Sequence, residues 1–240
     1  MDRLTAIPLA QLHWSTANYQ PLQERAQWLG LVDLVRSGTA STVGVSNFGP
    51  RQLERVASFL EEEGDIPLAA AQVQLSLASW GPEQRDLADA CAARGVELLA
   101  YSPLGLGLLG GRWRAGGAGG AGLGAAEAER LPPGARGALF RRLLPKLAPI
   151  TGALSAVAAE RADRGGPGAH GGTPAQVALN WTMCKGAVPI PGARSPDQVR
   201  GALGACGWRL TAAEIAELDA AVETSTRGGG QMVRNVFQTS

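Results

Sequence analysis

Thr42-Val-Gly-Val-Ser-Asn-Phe-Gly-Pro50 decides the fold of this chain. Thr42 to Ser46 is a short run with β-branched residues, too brief for a helix and suited to a strand. Ser46-Asn47-Phe48 leaves that strand, and Pro50 is set for the first turn of a helix. Leu53, Val56, Ala57 and Leu60 then share one helical face, and Gly64 is the expected terminator. The unit is strand, loop, helix, and it recurs on both sides. Upstream, Ile7-Pro-Leu-Ala-Gln-Leu12 reads as a buried strand emptying at His13-Trp14. Pro21 follows it and opens a helix carrying Leu22, Ala26, Leu29, Val32, Leu34 and Val35 as far as Gly38. Downstream, Leu68 to Leu75 precedes a helix from about Glu83 to Ala93, stopped by Gly95. Val96-Glu-Leu-Leu-Ala-Tyr101 is then nearly continuously apolar, as a strand covered on both faces should be.

After Tyr101 the rhythm breaks. Residues 105–137 are dominated by glycine and alanine and bury too little side chain to offset their ordering entropy, so a mobile loop insertion is expected there. Helical periodicity returns from about Leu139 to Arg164, interrupted by Pro145 and Pro149, and a second glycine-rich patch spans Gly165 to Gly172. Thr173 with Pro174 reads as an N-cap and first helical residue, the helix running to about Lys185. Ala187-Val-Pro-Ile190 is a last short strand, Pro196 to Ala205 a helix, and Thr211-Ala-Ala-Glu214 a capping box opening a helix through Ala221. About five strands alternating with helices predict a parallel α/β architecture in a single domain over residues 1–240.

Composition narrows the function. With 22 Lys and Arg against 21 Asp and Glu, the formal charge of +1 offers no footprint for nucleic acid and no polybasic face for a membrane. Three widely spaced cysteines, Cys91, Cys184 and Cys206, build neither a disulfide framework nor a local metal site, and are expected as buried small hydrophobes. The only histidines are His13 and His170, so no metal site is expected.

Parallel α/β folds hold ligands at the carboxyl ends of their strands. Here those ends read His13-Trp14, Ser46-Asn47-Phe48, Gln72 and Gln74, Tyr101-Ser102-Pro103, and Gly192-Ala193-Arg194. Gly105-Leu-Gly-Leu-Leu-Gly110 matches the dinucleotide fingerprint GxGxxG, but Ser102-Pro103 intervenes after the strand and more glycine follows instead of a helix. It is a weak signal.

Five segments in order, Gln11-Leu-His-Trp14, Gly44-Val-Ser-Asn-Phe48, Gln72-Val-Gln74, Leu99-Ala-Tyr-Ser-Pro-Leu104 and Pro189-Ile-Pro-Gly-Ala-Arg194, resemble the aldo/keto reductase family. The resemblance runs from about Leu4 to Leu218. It implies a (β/α)8 TIM-type barrel that binds NADP(H) across the carboxyl ends of its strands and reduces small carbonyl substrates by hydride transfer. By residue, it implies that Ser46, Asn47 and Gln72 hydrogen-bond the nicotinamide carboxamide and that the Tyr101 ring stacks on the nicotinamide. Ser102, Pro103 and Leu104 would pass along the pyrophosphate. Arg194, with Gly192 and Gln198 nearby, would meet the adenosine 2′-phosphate as a charge-assisted fork. His13 is the implied catalytic residue, donating to or orienting the carbonyl, with Trp14 beside it in the substrate site. Taken singly each has a plainer reading: a structural histidine, a helix cap at Ser46-Asn47, a half-buried strand tyrosine, a solvated arginine. Their joint placement on one rim favours function.

Two departures from the family's pattern stand out. Ala71 sits where asparagine usually precedes the glutamine, and Gly201-Ala202 where a Glu-Asn pair often contacts adenine. The resemblance also begins mid-pattern, with Asp2-Arg3-Leu4 leading into the family's fourth strand. About five β/α units are therefore expected, without the family's catalytic aspartate, tyrosine and lysine, and with little or no turnover by this chain alone. Tyr19 is the only tyrosine besides Tyr101 and the one candidate for a replacement acid. Five units cannot close an eight-stranded barrel, so the open edges call for a preceding segment or a protein partner to cover them. The alternative readings are a non-catalytic NADP(H)-binding or regulatory subunit, or a non-functional fragment. Cytosol is the default location, and a plastid or other organelle the alternative if a transit peptide precedes Met1.

Overall fold

Pro21, Pro50, Pro82, Pro174 and Pro196 each begin a helix, where a fixed φ and a missing N–H are assets. The runs between helices form the strands. The computed structural model describes residues 6–17, 20–113, 131–165 and 171–226. Within these, Ile7–Leu12 (β1), Ala40–Ser46 (β2), Leu68–Gln74 (β3), Glu97–Tyr101 (β4) and Ala187–Ile190 (β5) form one parallel sheet in chain order. Pro21–Arg36 (α1), Pro50–Gly64 (α2) and Pro82–Arg94 (α3) link the first four strands. Between β4 and β5 come a 3-10 turn at Gly105–Gly107 and the helices Ala135–Leu143 (α4), Ala148–Gly165 (α5) and Pro174–Cys184 (α6). Pro196–Leu203 (α7) and Ala212–Thr226 (α8) follow.

Strand order without a reversal is the arc of a β/α barrel; a doubly wound sheet would have a switch point. Alternation sorts the side chains. Val43, Val45, Ala71, Val73, Leu98 and Ala100 are buried with Val32, Leu53, Val56, Leu60 and Leu87 from the helices. The opposite, concave face is open: Ile7, Val188 and Ile190 are 53%, 45% and 44% exposed. Among the described residues β1 and β5 are the sheet's edges, and no helix is long and apolar enough to cross a membrane.

Four expectations change. β1 is half-exposed instead of buried, because it pairs on one side only. Gly64 does not stop α2; Asp65 takes the left-handed conformation (φ 51°) and caps it. A Cβ at 64 would lie 2.9 Å from Ile66 Cδ1, so a larger residue there would have to displace that side chain's end. The stretch 105–137 is packed at both ends: Leu108 and Leu109 are fully buried, Trp113 meets Phe140 edge-on at 6.3 Å, and α4 begins at Ala135. Residues 114–130 lie outside the described residues, as do 166–170 of the second glycine patch. Of the cysteines, Cys91 is buried and its thiol is pushed up to about 12 by burial and then by the Glu54 charge, whereas Cys206 is exposed.

The capping box forms: Glu214 N donates to Thr211 Oγ1, and Glu214 Oε2 accepts from Thr211 N at 2.8 Å. Arg161 of α5 donates to the same oxygen at 2.6 Å and lies 4.2 Å from the Trp208 ring centroid, which locks α5 to α8. Burial alone would raise the Glu214 pKa, but Arg161 and Thr211 hold it below the ordinary range. A carboxylate depressed in the folded state stabilises above its unfolded pKa, about 4.3, and loses that stabilisation as pH falls through the folded value. Glu214→Gln is expected to cost about 2 kcal/mol at pH 7 in urea denaturation, the gap from the parent narrowing below about pH 4.3.

Candidate functional site

Register aligns the concave residues in rows. Gln11 pairs with Gly44 and Gly44 with Ala70. Ser46 pairs with Gln72, Gln72 with Leu99 and Leu99 with Val188; Gln74 pairs with Tyr101 and Tyr101 with Ile190. The carboxyl ends of the strands thus gather the polar residues that the sequence placed there.

Asn47 organises them. It follows β2 directly in the left-handed region (φ 63°), which asparagine tolerates better than most residues, and it is 3% exposed. Its Nδ2 donates to the His13 carbonyl and to Ser46 Oγ, both at 3.1 Å, and its Oδ1 accepts from the Tyr101 hydroxyl at 2.8 Å. Its backbone N–H and Ser46 Oγ both donate to the Gln72 carbonyl at 2.9 Å. One buried asparagine, by its side chain and its backbone N–H, therefore joins the ends of β1, β2, β3 and β4. Burial pushes the Tyr101 phenol above its ordinary value, so it stays protonated at neutral pH and keeps donating.

Gln72 is half-buried and differently placed. Its Nε2 donates to Gln11 Oε1 at 3.0 Å, while its Oε1 has no partner among the described residues. The His13 ring is exposed, 4.7 Å from that of Trp14, which is 44% exposed; the histidine enters the network through its backbone. Ser102 adopts φ 52°, its carbonyl accepting from Gly105 N at 2.9 Å, so Ser102, Pro103 and Leu104 form a tight turn beside Tyr101. The Gly105–Gly110 segment makes a 3-10 turn with Leu106 at φ 59° and opens no helix.

Past β5, Arg194 is exposed and its backbone N–H donates to Gln198 Oε1 at 2.6 Å. Its guanidinium has no acidic partner among the described residues. Ser195 caps α7, so the arginine stands beside a helix amino terminus, where backbone N–H groups favour anions. At Gly192 an added Cβ would meet nothing within 4 Å. Tyr19 lies outside the described residues.

Sequence reasoning missed the support beneath His13-Trp14. Ser15 Oγ donates to the buried Glu24 Oε1 at 3.1 Å, and Gln52 Nε2 donates to both groups. Arg55 lies 3.4 Å from the other Glu24 oxygen. The cluster ties the loop after β1 to α1 and α2. Nothing in the sequence around Glu24 sets it apart from the exposed Asp33, the other acid of α1; its burial arises from the loop folding over it.

A model of the Aldo/keto reductase family matches residues 2–223. The chloroplastic pyridoxal reductase of Arabidopsis thaliana is 43% identical over 241 residues, covering 100% of this chain and 59% of that protein. A deoxymugineic acid synthase of Zea mays is 38% identical over 88 residues, 37% of this chain and 26% of that one. Among solved structures, a glycerol dehydrogenase of Gluconobacter oxydans superposes with a TM-score of 0.65 at 25% identity, covering 99% of this chain and 64% of that one. A thermostable aldo-keto reductase in complex with the inhibitor epalrestat gives 0.58 at 25% identity, over 90% of this chain and 60% of that one. The chain spans about three fifths of the pyridoxal reductase and of these two structures.

Asn47→Ala strips partners from the His13 carbonyl, Ser46 Oγ and the Tyr101 hydroxyl together. It is expected to destabilise the chain by about 3 kcal/mol in urea denaturation, against about 1 kcal/mol for Tyr101→Phe.

Proposed function

This chain belongs to the aldo/keto reductase family, and from that membership we propose that it supplies the NADP(H)-binding part of a carbonyl reductase. The observation that carries the reading is the rim itself. The amide network presents an unfilled acceptor, Gln72 Oε1 on β3, and two strands further along, after β5, an arginine guanidinium lacks an acidic partner among the described residues. A dinucleotide with a carboxamide at one end and an extra phosphate at the other has chemistry to match both.

When bound, NADPH supplies the hydride that turns a carbonyl into an alcohol. This chain's residues would hold and orient it. Gln72 Oε1 would accept from the carboxamide N–H, with Ser46 beside it, and the half-buried Tyr101 ring would form the platform for the nicotinamide. Asn47, whose amide already holds protein partners on both ends, fixes that platform from below. The Ser102-Pro103-Leu104 turn would border the pyrophosphate. Arg194 would pair with the 2′-phosphate, its backbone steadied by Gln198, and Gly192 leaves the approach open. His13 would donate to or orient the carbonyl, against the apolar wall of Trp14. Tyr101 is a poor proton donor to the alkoxide, because its hydroxyl serves Asn47 and burial raises its pKa. Turnover is therefore assigned to the protein together with whatever completes the barrel, and cofactor binding to this chain.

The name of the Arabidopsis relative makes pyridoxal the first aldehyde to offer, and a plastid the location to examine. NADPH is expected to bind with at least about tenfold greater affinity than NADH in a tryptophan-fluorescence titration, a difference of about 1.4 kcal/mol, and Arg194→Ala is expected to erase the preference. Equal affinities in the parent would defeat the NADP(H) assignment. NADPH oxidation with pyridoxal, impaired by His13→Ala, would make this chain an enzyme by itself; saturable binding without oxidation would make it a binding subunit.

A further inference from the structure

We infer that Gln11 is a positioning residue that sets which end of the Gln72 amide faces the cofactor; this rests on the dinucleotide reading above. Gln11 belongs to β1 and Gln72 to β3, two strands apart. Adjacent strands are spaced about 4.8 Å, so for the two amides to meet a side chain must lie across β2. It does so at Gly44, the register partner of Gln11. A Cβ at Gly44 would stand 3.1 Å from Gln11 Cγ, 3.2 Å from its Nε2 and 2.9 Å from the Ala70 carbonyl. The glycine is the gap through which Gln11 reaches Gln72.

The contact has a direction. Gln72 Nε2 donates to Gln11 Oε1 at 3.0 Å. A free glutamine amide can turn over and exchange donor for acceptor. With one of its two N–H donors held by Gln11 Oε1, the Gln72 amide is fixed in one sense and its oxygen is left as an open acceptor. That oxygen suits a ligand N–H donor such as the NH2 of a primary carboxamide, and offers nothing to a ketone in the same place. The arrangement leaves Gln11 Nε2 buried without a partner among the described residues, an unfavourable state that an apolar side chain at position 11 would avoid. Packing alone does not call for glutamine here; fixing the Gln72 amide does.

The test compares NADPH with its 3-acetylpyridine analogue, in which a methyl group replaces the carboxamide NH2, by fluorescence titration of the parent chain, Gln11→Met and Gln11→Glu. The parent should favour NADPH by about tenfold. Gln11→Met should lose about that factor for NADPH while binding the analogue as the parent does, and Gln11→Glu, which keeps an acceptor for Gln72 Nε2, should retain the preference. Thermal melts of all three chains accompany the titrations. If Gln11→Met keeps the parent's preference, or weakens both ligands equally, or if Gln11→Glu loses the preference as Met does, Gln11 has no positioning role. A folded parent that binds neither dinucleotide overturns the cofactor reading, and this inference with it.

Discussion

Four strand ends converge on the side chain and backbone of Asn47. Parallel strands share a ladder of hydrogen bonds along their length, but beyond the last rung nothing in the ladder fixes how the loops leave. Here the task falls to one asparagine in the left-handed conformation, which takes the Tyr101 hydroxyl on one side and reaches the His13 carbonyl and Ser46 on the other. Its burial makes those bonds matter, because a polar group without a partner in that setting is strongly unfavourable. The orientation of the Tyr101 ring, the exit of the His13 loop and the position of the Gln72 carbonyl all follow from it.

The two faces of the sheet show how the same alternation serves stability and function separately. Helix-facing residues such as Val45, Val73 and Ala100 are fully or almost fully buried and supply the apolar core. Their neighbours in sequence, Ser46, Gln72, Gln74 and Tyr101, point to the concave side by the period of two. The exposed Ile7, Val188 and Ile190 on that side are what a closed barrel would enclose. Packing of α5 on α8 through Arg161, Glu214 and Trp208 lies on the outer layer and steadies the helices that carry the sheet.

A second polar cluster, Ser15 with Glu24 and Gln52, underlies the rim from the helical side. It couples the His13-Trp14 loop to the amino-terminal turns of α1 and α2, and α2 is the helix that follows Asn47. The two loops that carry the proposed carbonyl-orienting and cofactor-holding groups are thus braced by one carboxylate as well as by one amide.

Local chemistry determined the elements. Proline at the first helical position, short runs rich in apolar residues four to seven residues long and the Thr211-Glu214 cap act within a few residues of themselves, so they could be read without knowing what they touch. The polar strand ends and the family resemblance were legible for the same reason. The departures arose where distant partners decide. β1 became an edge through its neighbours, and the ends of the glycine-rich stretch were packed by Leu108, Leu109, Trp113 and Phe140. Tyr101 meets Asn47 across 54 positions and Gln72 meets Gln11 across 61. The sequence by itself determined which residues would stand on the rim. Which of them hold one another, and which atom each leaves for a ligand, was decided only by the tertiary structure, because parallel register brings those pairs together and no local pattern encodes their contact.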